Sequence, residues 1–588
     1  MSKISELSNG GALLATDDLI VVRSGGNVRA QLSAISGQSV SATTLAASGA
    51  TTLSSTLAVT GATTLSSTLA VTGGYSSTTA GTSNLRLGVN AGNSIASGGA
   101  QNVVAGDEAG TAISTGDDNV AIGFSALATE DTGGQSTAVG ALALRLQNND
   151  GANYNTAVGY NAGGAVSTGI QNTLIGGLAG DAITDGKYNI ALGKSALSAD
   201  TSGNRSIAIG LGALETQNFT SDTDAYNIGI GHRAGTAVTT GVQNTFIGGL
   251  AGDNITDADN NVAVGYKALS ADTLGTDSVA IGLQALRDQN FTTATASHNI
   301  AIGRDAGVVI TTGVQNTLIG GLAGDALTTG GANVAVGFEA LSGEDANSYN
   351  VAVGYQALKV QNAVTNGYNT AVGPLAGTHV STGRENTLLG YNAASYNNDV
   401  LTTGSSNTLL GAYARPSSGT VNNEIAIGRY VLAQGTLTAT LGISGNGATI
   451  SIDGSDTSWA AHSDERLKNN ITTSTAGLSF INDLRPVTYT WKAKNEISED
   501  FVNYYDADST DPVNGTAGKT YHGFVAQEMK ATIDAHSEVA NGNNLWAERV
   551  DDIQQLAPSN LVPMLTKAIQ ELSTQLDDAL ARITTLEG

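Results

Sequence analysis

Residues 119–126 read Asn119-Val120-Ala121-Ile122-Gly123-Phe124-Ser125-Ala126, and the same unit returns along more than half of the chain. Its pattern is asparagine, aliphatic, alanine, aliphatic, glycine, and successive glycines stand 17 residues apart, with some spacings of 19 or 21. A larger period of 72 residues also occurs, since residues 171–176 return as 243–248 and 315–320. A period of 17 is too short for a helical hairpin and is typical of one turn of a β-solenoid. The glycines stand at 106, 123, 140, 159, 176, 193, 210, 231, 248, 265, 282, 303, 320, 337, 354, 373, 390, 411 and 428.

Alternation within the unit predicts a short strand with two different faces. The residue before the glycine is Ile, Val or Leu everywhere except Ala105, so we expect that face to be buried. The residue one position earlier is usually alanine, with Leu174, Phe246, Leu318 and Leu388 among the exceptions, which predicts a second, tighter contact face between subunits. Asparagine at the strand start predicts a ladder of stacked amides, and glycine permits the positive φ of the turn.

The composition excludes several classes of protein. The chain of 588 residues has 75 glycines, 13% charged residues and a net charge of −25. An acidic chain of this kind lacks the clustered lysines and arginines that bind phosphate, so we expect no nucleic-acid partner. There are no cysteines, and the six histidines are scattered without metal-ligand spacing. We therefore predict no metal site and no cofactor.

The N-terminal residues differ from the repeat array. Residues 1–40 alternate helix-like and strand-like patches, and 41–80 carry a twelve-residue β repeat in which 49–53 recur as 61–65. The first residues have no apolar core, and no apolar run reaches the roughly 18 residues of a spanning helix. These features predict a soluble protein made in a cytoplasm, without a secretory signal and without membrane insertion. The seventeen-residue repeats are assigned to 81–428 and a β-rich tip to 429–462.

A sharp change of composition begins at Ser463. Three blocks follow in order: SDERLK at 463–468, LRPVTYTWK at 484–492 and HGFVAQE at 522–528. The chain then ends in a seam of apolar residues with alternating steps of four and three, which predicts a coiled-coil helix of about three heptads. The seam residues are Leu565, Ile569, Leu572, Leu576, Ala579, Ile583 and Leu586.

These blocks resemble the intramolecular chaperone auto-processing domain that ends phage endosialidases, tail spikes and L-shaped or side tail fibres. The resemblance covers residues 463–588. It implies a domain that drives trimerisation of the fibre before it and then releases itself by a serine–lysine dyad. On the matching positions, Ser463 would be the nucleophile and Lys468 the base, and the bond between His462 and Ser463 would be cut.

The chemistry of that dyad requires an uncharged lysine, because only a neutral amine can take the serine proton. Burial on assembly and the nearby Arg466 favour the neutral form, whereas Asp464 and Glu465 oppose it. Trimer formation is therefore the expected trigger of cleavage. The alternative interpretation is that Ser463 caps a short helix. Self-cleavage would occur once in cis, and no turnover enzyme is predicted.

The repeats resemble the head repeats of trimeric autotransporter adhesins, which form a parallel β-roll around a threefold axis. Together the two resemblances predict an all-β repeat fold: a trimeric parallel β-roll or β-solenoid fibre, followed by a C-terminal α+β chaperone domain that ends in a coiled-coil helix. The expected function is that of a homotrimeric phage tail fibre, assembled in the host cytoplasm and located in the virion. Residues 1–40 would attach it to virion tail proteins.

The expected receptor is a glycan or protein of the host cell surface. Loops where the spacing stretches are the candidates for contact: 148–155, 218–226, 290–298 and 361–368. Two alternatives stay open, a glycan-cleaving tail spike and a bacterial trimeric surface adhesin. No carboxylate pair stands out for glycan cleavage, and we expect no aromatic platforms on the shaft.

Overall fold

The computed structural model describes residues 83–363, 365–444, 446–454, 465–501, 504–513, 515, 518–539, 545–548 and 553–588. The chain divides into two compact units, Met1–Tyr75 and Ser76–Gly588, and every described residue belongs to the second. The predicted attachment module at 1–40 and the twelve-residue repeats at 41–80 lie outside the described residues.

The array of repeats forms one 22-stranded sheet in which all but the last two strands have three residues and return once per turn. The asparagine–aliphatic–alanine–aliphatic–glycine unit thus supplies one strand per turn of a parallel β-solenoid, as predicted. These strands are β1 (Leu85–Leu87), β2 (Val103–Ala105), β3 (Val120–Ile122), β4 (Thr137–Val139), β5 (Thr156–Val158), β6 (Thr173–Ile175), β7 (Ile190–Leu192), β9 (Ile207–Ile209), β11 (Ile228–Ile230), β12 (Thr245–Ile247), β13 (Val262–Val264), β15 (Val279–Ile281), β17 (Ile300–Ile302), β18 (Thr317–Ile319), β19 (Val334–Val336), β20 (Val351–Val353), β21 (Thr370–Val372), β22 (Thr387–Leu389), β25 (Thr408–Leu410) and β26 (Ile425–Ile427).

Each of these strands pairs in parallel with the strand of the next turn, so equal positions of the unit stack in columns. Ala121, for example, lies between Val104 and Ala138. The sheet ends with β27 (Thr438–Ile443), which is parallel to β26, and β28 (Asn446–Ser451), which is antiparallel to β27.

Three further strand pairs lie in the turns between these strands. β8 (Gly203–Asn204) pairs in parallel with β10 (Thr223–Asp224), and β14 (Gly275–Thr276) pairs in parallel with β16 (Thr295–Ala296). β23 (Ser395–Tyr396) and β24 (Asp399–Val400) form an antiparallel pair. The insertions that stretch the spacing to 21 residues are therefore ordered by backbone pairing.

The two faces of the strands were predicted the wrong way round. The alanine column faces the interior of the single chain, where Ala121 is completely buried, whereas Ile122 on the other face is 39% exposed. The residue before the glycine is half-buried or exposed on every turn of the ladder. The turns already fill the interior with larger side chains such as Ile113 and Leu127, so at most strand positions there is room left for a methyl group and the larger aliphatic side chains of the strand point outward.

At Phe246 and Leu174, the strand places a large side chain in the interior beside glycines. Phe246 is completely buried, and it pairs across the sheet with Gly229 where most turns have alanine. A Cβ added to Gly235 or Gly252 would lie 2.6 or 2.5 Å from the Phe246 ring. Leu174 is bordered in the same way by glycines at 163 and 180. At these positions a large side chain is thus matched by neighbouring glycines, which leave the space that the large side chain fills.

The asparagine ladder is confirmed, and its bonds run between side chain and backbone. The Asn172 Nδ2 donates to the Gly186 carbonyl at 2.9 Å, and its Oδ1 accepts the Asn189 N–H at 3.0 Å. The same two bonds recur in most turns, for example at Asn261. Each buried amide therefore joins its own turn to the next one, which satisfies backbone groups that would otherwise be unpaired.

Several insertions begin with a buried glutamine that binds a buried carboxylate. Gln217 Nε2 donates to Asp200 at 2.6 Å and to Ser206 at 2.9 Å, while its Oε1 accepts a bond from Asn227. Burial raises the pKa of Asp200, against the opposing effect of these hydrogen bonds. Burial also raises the pKa of four other buried carboxyl groups in the shaft, those of Glu130, Asp272, Glu344 and Glu424.

The C-terminal part of the chain is a small α+β region. Its helices are α1 (Leu478–Asp483), α2 (Ala526–Ala535) and α3 (Val562–Glu587), and 3-10 helices span Glu465–Leu467, Lys494–Glu496 and Pro558–Leu561. β29 (Val487–Tyr489) is antiparallel to β30 (Tyr521–Gly523), and β31 (Trp546–Glu548) is antiparallel to β32 (Gln554–Leu556). Pro563 at the start of α3 suits the first turn of a helix. The buried core of this region consists of Ala476, Phe480, Met529, Ile533, Val539, Leu545 and Leu561.

Candidate functional site

The predicted catalytic pair lies at the edge of what the structure describes. His462 and Ser463 are outside the described residues. Lys468 follows the 3-10 helix Glu465–Leu467, its side chain is exposed, and its N–H donates to the Glu465 carbonyl at 3.0 Å. The assignment of Ser463 as nucleophile and Lys468 as base therefore stays a prediction.

The second and third sequence blocks meet in space. β29 from the block at 484–492 pairs with β30, whose last residues begin the block at 522–528. Beside this pair, the Arg485 guanidinium donates to the Glu528 carboxylate from two of its nitrogens, Nε and Nη2, and the Nε to Oε2 distance is 2.8 Å. This bidentate pair holds the pKa of Glu528 below its usual value. Both residues lie within the sequence blocks, but the sequence alone did not predict that they pair.

A carboxylate on helix α3 binds the N-terminus of helix α1. Glu571 accepts the backbone N–H of Leu478, the first residue of α1, at 2.7 Å. Lys567 lies one turn away on α3, with its Nζ 3.3 Å from Glu571. The Leu478 N–H and then Lys567 lower the pKa of Glu571. A helix N-terminus favours a carboxylate because its first N–H groups have no partner within the helix.

His536 connects the ends of α1 and α2. Its Nδ1 lies 2.9 Å from Glu538 and its Nε2 lies 2.8 Å from Asp483, while the ring packs edge-on against Phe480. The two carboxylates, Glu538 first, raise the pKa of His536. A protonated imidazole here donates to both carboxylates, which couples the two helices.

The outward face of α3 carries the predicted heptad seam. All seven seam residues are exposed, and Leu586 reaches 85%. A helix with one apolar stripe is typically covered by another helix. In the part of the chain that the structure describes, no other helix packs along this stripe beyond the contacts of its first turns with α1.

The shaft has a second uncovered apolar surface, formed by the outward residues of the ladder strands. The residue before each glycine and the residue two positions earlier both point outward, and many of them are aliphatic. Because the strands are in register, these side chains form two parallel columns along the sheet. Exposed members are Leu87, Ile122, Ile190, Leu192, Ile247, Ile281, Ile300, Ile302, Ile319, Leu389 and Ile427.

The sequence indicated no aromatic platforms of the kind that sugar-cleaving grooves use, but tyrosines of adjacent turns do stack on the shaft. Tyr349 and Tyr368 stack with their ring centroids 5.2 Å apart and 7° between planes, and Tyr413 stacks on Tyr430 at 4.4 Å and 2°. The signal was present in the sequence, since equal positions on successive turns carry tyrosine. Stacking follows because parallel in-register turns bring equal positions side by side.

The described residues contain neither a metal-binding cluster nor a membrane-spanning helix. No group of three or more histidines and carboxylates among them is arranged to hold a metal ion. None of the helices there is both long enough and apolar enough to cross a bilayer.

Comparison with known proteins gives one match. A family model described as "Chaperone of endosialidase" matches residues 463–537. This range contains α1, α2, the β29–β30 pair and the Arg485–Glu528 bond. No curated protein and no solved structure matches the chain. The match supports a C-terminal chaperone domain, and the β-solenoid before it fits a fibre.

Proposed function

We propose that this protein is the subunit of a homotrimeric phage tail fibre that binds the surface of a host bacterium. The observation that carries the proposal is the order of the two parts: a β-solenoid followed directly by a region that matches a chaperone of endosialidase. A chaperone that follows a long repeat suits a shaft in which parallel strand pairing in the correct register forms slowly. Residues 1–40 attach the fibre to virion tail proteins, and the shaft faces the host.

Trimer formation is supported by the two uncovered apolar surfaces. The column of residues before the glycines is aliphatic along the whole ladder sheet, the column two positions earlier mixes aliphatic residues with threonine, and the apolar seam runs along α3. Contiguous apolar surfaces of this extent are rare on monomers and mark sites of association. Three copies of one chain would bury both surfaces at once, because shaft columns and helix seam belong to the same polypeptide.

The chaperone domain is proposed to leave after assembly. Ser463 Oγ attacks the carbonyl carbon of His462, while Lys468 takes the hydroxyl proton and passes it to the Ser463 nitrogen, so the peptide bond is exchanged for an ester. Water then hydrolyses the ester, which leaves a carboxylate on His462 and a free amine and hydroxyl on Ser463. The products are a shaft of residues 1–462 and a released domain of residues 463–588. A shaft separated from the domain that assembled it is stable kinetically, because the route back through the chaperone is closed.

Two mass measurements on the purified protein test the assembly and the cleavage. Denaturing mass spectrometry should find residues 1–462 and 463–588 as separate chains, and the Ser463→Ala variant should stay intact. Native mass spectrometry should give three copies of the shaft. A wild-type chain that stays whole would refute cleavage, and a monomeric shaft would refute the trimer.

Receptor binding is tested separately, by adsorption of labelled shaft to bacterial cells. A fibre of the proposed kind binds some strains and not others, and unlabelled shaft competes for the same sites. Equal adsorption to all strains, without competition, would refute a receptor-binding role. Cell-surface polysaccharide that shortens on incubation with the shaft would instead favour a glycan-cleaving tail spike.

A further inference from the structure

A cleft of about 410 Å³ opens on the shaft, lined by Lys187, Tyr188, Asn204, Arg205, Asp222 and Asp224. Tyr226 lies next to this lining, on the turn after that of Arg205. Tyr188, Arg205 and Tyr226 each stand immediately before the first residue of the strand unit, on the turns of β7, β9 and β11. The Arg205 guanidinium lies 5.2 Å from the Tyr188 ring centre and 5.6 Å from that of Tyr226. Tyr188 is 43% exposed and Tyr226 49%, so Tyr188 presents part of its ring to the cleft and Tyr226 flanks Arg205 outside the lining.

Polar groups complete the lining and hold one another in place. Asp222 accepts bonds from the Asn204 amide and from Lys187, whose Nζ lies 3.4 Å away, and these bonds lower the pKa of Asp222. Asp224 pairs with Arg205. Both aspartates belong to the insertion 218–226, which sequence analysis named as a candidate contact loop. The parallel pairing of β10 with β8 orders this loop, so the polar groups are positioned before any ligand arrives.

The next 72-residue repeat provides an internal comparison. It has the same backbone arrangement, in which β14 pairs with β16 as β8 pairs with β10. At the positions of Tyr188, Arg205 and Tyr226, however, it carries Asn260, Asp277 and His298.

The two aspartates of the cleft are also missing from that repeat, since Ala294 and Ala296 occupy the positions of Asp222 and Asp224. The buried residues, in contrast, agree between the two repeats: Asp200 corresponds to Asp272, Gln217 to Gln289 and Phe219 to Phe291. The fold therefore does not require the side chains that line the cleft.

From this geometry we propose that the cleft binds a saccharide, a receptor glycan of the host surface. The inference rests on the proposed function and adds the place on the shaft and the chemical class of the ligand. Tyrosine faces stack on the C–H groups of a sugar ring, because the ring π-system is negative on its face. The planar carboxylate, amide and guanidinium groups beside them donate and accept bonds with adjacent hydroxyls.

The charge of the cleft selects a neutral sugar. Lys187 and Arg205 are each paired with an aspartate, so the lining has no excess of positive charge. The chain as a whole carries −25, and a surface of that sign repels acidic polysaccharides. A neutral hexose, deoxyhexose or N-acetylhexosamine meets no such penalty.

The test is saturation-transfer NMR on the assembled shaft, with methyl glycosides as probes. The panel contains the common hexoses, rhamnose, N-acetylglucosamine and N-acetylgalactosamine, and a methyl glucuronide as the acidic comparison. We expect transfer to one or more neutral glycosides, with weaker transfer to the glucuronide. Tyr188→Asn and Asp222→Ala, which install the residues of the next repeat at two lining positions, should each weaken binding about tenfold.

Tyr349→Asn is the matched control. Tyr349 has the same position in its turn, a positive φ and 52% exposure, and it lies outside the cleft. The Tyr349→Asn variant should bind the probe as the wild type does. Native mass spectrometry should find all variants in the same assembly state.

Two results would overturn the site. One is the absence of transfer to every glycoside, and the other is equal binding by the cleft variants and the wild type. In either case, adsorption to cells that persists would leave the tail-fibre proposal standing, whereas loss of adsorption by the wild-type shaft would refute that proposal itself.

Discussion

Replacing Gly252 by alanine should destabilise the shaft locally, because the new methyl group has no room. Its Cβ would lie 2.5 Å from the Cδ1 and Cε1 atoms of Phe246. The Phe246 ring has little room to move away, because it packs closely against the backbone of Gly235 on its other side, where an added Cβ would lie 2.6 Å from the ring. Overpacking of a filled core costs about 1–3 kcal/mol. Gly252 also has φ +57°, and a side chain in that region costs about 1–2 kcal/mol more.

The expected loss is therefore about 2–5 kcal/mol, and a double-mutant cycle separates its two parts. Phe246→Ala alone should cost about 3–5 kcal/mol, because it leaves a cavity. In that background the methyl group at 252 meets no ring, so Gly252→Ala should cost only the backbone term of about 1–2 kcal/mol.

Hydrogen exchange of the full chain, followed by mass spectrometry on peptides from 228–268, measures the free energy of local opening. Local opening is the suitable quantity because each turn of a solenoid contacts only its neighbours. Gly249→Ala is the control: it lies in the same turn, and its Cβ would find the nearest atom, in Tyr266, at 3.6 Å. An equal cost of Gly252→Ala with and without Phe246 would refute the packing argument.

Three further predictions concern other parts of the chain. The five buried carboxyl groups of the shaft have raised pKa values, so at these groups the folded shaft binds more protons than the unfolded chain. The stability of the shaft should therefore be highest below the ordinary carboxyl pKa and fall as pH rises through the raised values, and hydrogen exchange at several pH values measures this fall. In the C-terminal region, Glu571→Ala leaves the Leu478 N–H without its acceptor and should lower the midpoint of chemical denaturation, whereas Glu571→Gln keeps an acceptor and should lower it less. Leu576→Asp in the helix seam should prevent the trimer in native mass spectrometry of the Ser463→Ala chain, whereas Thr574→Asp, off the seam, should leave it intact.

Much of the shaft could be predicted from the sequence, because its signals are local and repeated. The 17-residue spacing predicted one strand per turn. Asparagine at the strand start predicted the amide ladder, since a buried amide in this position can reach only the neighbouring turn. The positive φ at Gly123 was also predicted, and a Cβ there would lie 2.6 Å from the Gly140 carbonyl.

The candidate sites could be predicted less completely. The blocks at 484–492 and 522–528 were recognised, but their pairing through Arg485 and Glu528 depends on residues 43 positions apart. The cleft at Tyr188 and Arg205 was also missed. The 17-residue period could have revealed these two residues, because they occupy the same position on adjacent turns. Self-cleavage at Ser463 depends on residues outside the described part of the chain and stays a prediction.

The sequence by itself determined the period, the strand positions and the places where side chains must be absent, because each of these follows from contacts between equal positions of adjacent turns. Only the tertiary structure decided which face of the strand is inside. Alternation shows that Ala121 and Ile122 point in opposite directions, but it does not show which direction leads inward. That choice depends on the width of the closed roll, which admits a methyl group and leaves the aliphatic column outside, where a second copy of the chain can cover it.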